Sequence, residues 1–113
     1  MTPEKLRETY CMSPPRVQLS ILAGLAHEMT IVGRSFYLDS PQGQRVPSEV
    51  MIALNELQHQ ITGQQRHLAD EDLERYPDDV FISILFDRAA TLKLERELLR
   101  SFERVVSRLG PSP

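Results

Sequence analysis

The residues in this chain whose types and spacing suit chemistry are three histidines, one cysteine, a single Glu-x-x-His pair and a ladder of arginines. Glu56-Leu57-Gln58-His59 has the spacing that carboxylate-bridged di-iron bundles use. Such a centre needs the motif twice, with a further glutamate from each of two other helices. Here it occurs once, so a two-metal centre is not expected. His59 and His67 lie eight residues apart, which on a helix turns their directions apart by about 80°. Joined by His27 from another segment, they would make a surface zinc site at a seam between two copies, provided three or four ligands converge. His27, Glu56, His59 and His67 are therefore the metal-ligating candidates, set against the plainer reading of three solvated histidines. No cofactor is assigned.

Cys11 is the lone cysteine, so no disulfide can form within the chain and no oxidising compartment is needed. It precedes Ser13-Pro14-Pro15 near an expected helix start, where a thiolate would gain some stabilisation. No local pattern ties a histidine or carboxylate to it as an activating base. The acidic cluster Asp70, Glu71, Asp72, Glu74, Asp78 and Asp79 lacks the glycine and the alternating oxygen ligands of a calcium loop. Asp78 and Asp79 follow Pro77 and read as the capped first turn of a helix. No catalytic constellation assembles, and the expectation is a protein that is not an enzyme.

Arg96, Arg100, Arg104 and Arg108 recur every four residues along one flank of an expected helix. Glu95, Glu97 and Glu103 are near enough to neutralise part of that flank. The net charge is −3 and the isoelectric point about 5.6, whereas nucleic-acid binders draw affinity from a basic surplus that neutralises phosphates. Nucleic acid is thus the weaker reading of the stripe, and cations favouring a helix C-terminus the stronger one. No glycine-rich phosphate loop occurs.

The elements that must position these groups are punctuated by proline. Thr2-Pro3-Glu4, Ser13-Pro14-Pro15, Pro47-Ser48-Glu49 and Tyr76-Pro77-Asp78 each open a segment with helical periodicity, where proline is tolerated in the first turn. The predicted helices span 3–10, 14–38, 48–68 and 77–109. On the second, Ile21, Leu22, Leu25, Met29, Val32 and Phe36 form an apolar arc that Leu19, Ala26, Gly33 and Tyr37 broaden, the mark of a central helix. On the third, Val50, Leu54, Leu57, Ile61 and Leu68 make a narrower stripe, with Ile52, Glu56, His59, Gly63 and His67 opposite. Gly63 marks either a bend or early end of the helix, or a flat place where another helix comes close. Residues 39–45, 69–75 and the tail 110–113 read as connectors or ends. At 113 residues with 41% hydrophobic and 26% charged residues, the chain suits one domain with an aliphatic core, since aromatics are 6% and tryptophan is absent.

The last segment reads as one helix of about 33 residues, roughly 50 Å long. Its stripe is Phe81, Ile84, Leu85, Leu92, Leu99, Phe102, Val106 and Leu109. Such a helix would overhang its neighbours and leave apolar surface in need of a cover. Arg88 and Glu95 project toward that stripe, and Glu28, at the edge of the second helix's arc, is the expected partner of Arg88. The expected fold is all-α: an antiparallel bundle of three long helices plus a short N-terminal helix. A homodimer follows, with Ile52, Gly63, Leu99, Phe102, Val106 and Leu109 at its seam. The N-terminus has no apolar leader core, and the run from Ile21 to Val32 is broken by His27, Glu28 and Thr30, so a cytoplasmic protein without a membrane span is expected. The functional expectation is a regulatory or interaction protein that meets another protein through helix surfaces. Its alternatives are a ligand- or metal-binding bundle, and a nucleic-acid-associated protein using the arginines.

Overall fold

The computed structural model describes residues 2–38, 48–70 and 78–109. Among these the chain is all-helical, with five helices: α1 (Pro3–Met12), α2 (Pro15–Leu38), α3 (Ser48–Asp70), α4 (Phe81–Thr91) and α5 (Glu95–Arg108). The predicted connector 39–45, residues 71–75 of the predicted connector 69–75, the tail 110–113 and the side chains of Phe36 and Tyr37 lie outside the described residues, while Ala69 and Asp70 continue α3 instead of starting that connector.

Local chemistry sets the helix ends. The Thr2 hydroxyl accepts from the Lys5 N–H at 3.2 Å, and Pro3 occupies the first turn, so α1 starts where the capping pattern places it. Asp78 does the same for α4 through one carboxylate oxygen, which accepts from the N–H groups of Val80 and Phe81, each at 3.2 Å. That turn delays the helix to Phe81 and leaves Asp78 and Asp79 ahead of it, whereas the sequence placed both inside the first turn.

The central arc of α2 is confirmed: Ile21, Leu22, Leu25 and Met29 are buried, and Val32 packs against them partly covered. α3 contributes Ala53, Leu54, Leu57, Ile61 and Leu68. Thr30 meets Gln58 while Gly33 faces Leu54, so α2 and α3 run in opposite directions. The same reasoning on Glu56 with Arg88 and Gln64 with Asp78 sets α4 antiparallel to α3. α1 closes one side with Leu6 and Tyr10, whose ring meets the edge of Phe102 at 6.4 Å between centroids.

The single long C-terminal helix of the sequence reading is two helices. The chain turns at Leu92, Lys93 and Leu94. The Leu94 N–H donates to the Ala89 carbonyl at 2.8 Å, the Lys93 N–H donates to the Ala90 carbonyl at 3.1 Å, and Lys93 takes a φ of 62°. This is the paired-bond helix ending that usually places glycine where Lys93 stands. Ala89 and Leu94, the positions that carry the apolar contact of such an ending, are both buried. The turn resets the buried phase: α4 presents Ile82, Leu85, Phe86 and Ala89, and α5 presents Leu98, Phe102 and Val105.

Two consequences correct the sequence reading. Among the described residues the expected overhang of one long C-terminal helix is not found, because α5 packs onto the molecule's own α2. Phe102 is wholly buried there, Leu99 and Val106 are partly covered, and Leu109 is about half exposed. Glu95 leaves the apolar seam and becomes an exposed acid in the first turn of α5, where it suits the helix dipole.

The contact between α2 and α5 depends on Gly24. A Cβ placed there would lie 2.8 Å from one methyl of Val105 and 3.1 Å from the other. Valine is stiff at χ1 and cannot turn both methyls aside. Gly24→Ala is expected to destabilise by about 1–3 kcal/mol, more than the roughly 1 kcal/mol gained in helix propensity. Adding Val105→Ala should remove the clash, and urea denaturation of the two variants checks both statements. Gly63 has no atom within 4 Å of its Cβ position, so the close approach that the sequence suggested at Gly63 occurs within the chain at Gly24.

Candidate functional site

Among the described residues, three polar clusters and three surface recesses gather chemically useful groups. The most buried cluster sits where α1 ends, α2 begins and α4 begins. Gln18 is fully buried on the same face as Leu22, Leu25 and Met29. Its amide nitrogen donates to the carbonyls of Tyr10 (2.8 Å) and Asp78 (2.6 Å), and its amide oxygen accepts from the Asp78 N–H at 2.7 Å. The second carboxylate oxygen of Asp78 accepts from the Tyr10 hydroxyl at 2.8 Å and from the Gln64 amide at 3.2 Å. Asp78 thus ties four helices together, and its capping role is one part of a larger network.

Burial raises the Tyr10 hydroxyl well above its ordinary range, and the hydrogen bond to Asp78 and the charge of that carboxylate push the same way. An unfolded tyrosine ionises near pH 10, and the folded one ionises higher. The stabilisation from neutral Tyr10 is therefore whole below about pH 10 and is lost as pH rises toward the folded value. The stability difference between the wild type and Tyr10→Phe is expected to be constant from pH 7 to about 9. Above about pH 10 it should fall by up to about 1.4 kcal/mol per pH unit. Urea melts across that range read the difference directly.

Cys11 borders this cluster. It lies in the last turn of α1, not at a helix start, with its sulfur 3.8 Å from the Asp79 carbonyl oxygen. Burial pushes the thiol up, followed by the charges of Asp78 and Asp79. Each of these disfavours the thiolate, so the site opposes a nucleophile.

The second cluster joins α2 to α5. Glu28 is buried, and its Oε2 accepts from Arg104 Nε at 3.0 Å, while Arg108 Nη2 lies 2.7 Å from Oε1. Arg104 also reaches the buried Ser101 hydroxyl at 3.3 Å. The third cluster joins α3 to α4: Arg88 donates from Nε and Nη2 to the two oxygens of Glu56, at 2.9 and 2.6 Å. This is the fork-on-fork geometry that fixes both partners. The expected Glu28–Arg88 pair is therefore not formed. The turn at Lys93 brings Arg104 and Arg108 to Glu28, and the level of α4 on α3 brings Arg88 to Glu56.

These pairings bear on the metal and nucleic-acid candidates. Both oxygens of Glu56 are engaged by Arg88, so the Glu56–His59 spacing does not present an open carboxylate. His27, His59 and His67 are exposed on α2 and α3. Among the described residues no group of three or more His, Cys, Asp or Glu side chains is placed to hold a metal ion. Of the arginine ladder, Arg104 and Arg108 are held by Glu28, and Arg96 and Arg100 are exposed.

The recesses are shallow. One, of about 360 Å³, lies between α2 and α3 over Met29, Gly33, Met51 and Leu54. A second, more polar, is lined by Gln58, His59, Thr62, Gly63 and Arg66. The third runs along α5 past Arg100, Arg104, Ser107 and Arg108. Gln18, Gly24 and the Arg104–Arg108 pair were not singled out from sequence for these roles. Gln18 did carry a signal, because it interrupts the line of Leu22, Leu25 and Met29 with a polar residue.

Compared with known protein families, curated proteins and solved structures, the chain matches none. No helix among the described residues is long and apolar enough to cross a membrane.

Proposed function

We propose that this chain is a non-enzymatic interaction protein of the cytoplasm, which self-associates as a homodimer and presents helix surfaces to another protein. The observation that carries this reading is on the outer side of α4. Val80 and Ile84, one helical turn apart, are 56% and 55% exposed. A single exposed aliphatic residue is ordinary on any monomer. Two large β-branched ones, at the N-cap of α4 and one turn into it, make the kind of surface that another helix covers. Ile52 on α3 is 68% exposed and Gly63 on the same helix has no atom within 4 Å of its Cβ position, which adds support for a second contact face. The buried polar groups described above are largely engaged with one another, which leaves the helix exteriors as the available chemistry.

Sedimentation velocity at rising concentration tests the reading. The expected result is a dimer that Ile84→Asp dissolves while the monomer keeps its helical circular dichroism, since Ile84 is 55% exposed and outside the buried core of the single chain. A strict monomer at micromolar concentration that binds no hydrophobic dye removes the proposal.

A further inference from the structure

The turn between α4 and α5 rests on a residue poorly suited to it. Lys93 holds a φ of 62°, a left-handed conformation that L side chains disfavour and that glycine usually occupies at this position of a helix ending. The flanking residues, Leu92 and Leu94, are good helix formers, and neither glycine nor proline enforces the corner. The heptad line Leu85, Leu92, Leu99 and Val106 passes through it without a change of register. With Lys93 in the ordinary helical region, residues 81–108 would form one helix about 42 Å long.

We propose that α5 exchanges between two copies of this chain by straightening at Lys93. The inference rests on the homodimer reading above, in which the Val80–Ile84 faces bring two copies together, and adds a crossing of α5 between the copies so paired. The contacts α5 makes support it. Leu98, Phe102 and Val105 are buried in the molecule's own core, Val105 against Gly24, while Glu28 holds Arg104 and Arg108. A second copy offers the same Gly24, the same Glu28 and the same core. Exchange therefore keeps each of these contacts and changes only the corner and the freedom of the two chains. Straightening releases Lys93 from its left-handed conformation. It also aligns Leu92, Leu99 and Val106, only partly covered in the closed chain, along one side of a continuous helix where a partner can cover them further. The occupant of the site vacated by α5 is thus α5 of a second copy.

A disulfide reports which chain supplies α5. The Cβ position at Gly24 lies 3.5 Å from the Val105 Cβ, at the short end of the roughly 3.5–4.5 Å that a disulfide spans. The full-length chain carrying Cys11→Ser, Gly24→Cys and Val105→Cys is refolded at low and high concentration, oxidised, and run on a denaturing gel without reductant. The expected result is a covalent dimer at high concentration. Adding Lys93→Gly, which relieves the corner, should lower that dimer roughly fivefold for each corner straightened, and Lys93→Ala should raise it. If light scattering shows a dimer but every bridge lies within one chain, exchange is overturned and the dimer stands. If the wild type and Lys93→Ala are both monomers at all concentrations, exchange and the dimer fall together. Should the bridge not form, light scattering of the cysteine-unaltered chain decides: loss of dimer in Lys93→Gly supports exchange, and an unchanged dimer overturns it.

Discussion

Replacing both Arg104 and Arg108 with alanine is expected to destabilise the fold by about 3–5 kcal/mol, and replacing Glu28 with glutamine by far less. The asymmetry follows from where each charge sits. Glu28 is 1% exposed, whereas the side chains of Arg104 and Arg108 are 47% and 59% exposed. Without Glu28 the two guanidinium groups turn to water at little cost. Without the arginines a carboxylate is left in the core between α2 and α5 with no cation to offset its desolvation. A third substitution separates this from lost packing: Glu28→Gln added to the double variant removes the stranded charge and should recover most of the loss. Urea denaturation of the double and triple variants at pH 7 measures both the size and the direction. A loss under about 1 kcal/mol at pH 7 would mean that water reaches Glu28 and that the pair does not secure α5.

This pair also marks how far the sequence could be read. Glu28 was legible as a polar residue at the edge of the α2 arc that needs a partner, because helical spacing alone puts it there. The partner was not legible, because its identity depends on the turn at Lys93. Helix endings are usually marked by glycine or proline, and Thr91-Leu92-Lys93-Leu94 has neither, while the heptad line runs straight through. What ends α4 is the tertiary gain of burying Leu94, Leu98 and Phe102 against α1 and α2, and a lysine in a left-handed conformation is tolerated for it. The α2 arc, the α3 stripe and the capped start of α1 were readable because each depends on local spacing. Gly24 and Gly63 show the boundary between the two kinds of information. Both sit in helix interiors, and only the packing of α5 distinguishes the one that receives a neighbour. The pairing of Glu56 with Arg88 is of the same sort, since it depends on how far α4 slides along α3.

Gln18 is where a core position gives up apolar burial for connection, and Gln18→Leu should show what the connection contributes. Leucine nearly matches glutamine in volume and would extend the line of Leu22, Leu25 and Met29, so on apolar burial alone the change should stabilise. Against that gain stand three backbone groups that lose their partner: the carbonyls of Tyr10 and Asp78 and the N–H of Asp78. At about 1–3 kcal/mol for each buried group left unpaired, the loss outweighs the gain, and a net destabilisation of about 3 kcal/mol is expected. The same substitution should loosen Asp78, which Gln18 holds through the backbone while Tyr10 holds its carboxylate. Gln18→Leu and Tyr10→Phe should therefore not add. A double-mutant cycle is expected to give a coupling of at least about 0.5 kcal/mol, the size found for residues sharing one network. Additive single effects, or a Gln18→Leu variant as stable as the wild type, would mean that Asp78 holds the start of α4 through its own capping bonds to Val80 and Phe81, and that the junction of α1, α2 and α4 is secured by packing alone.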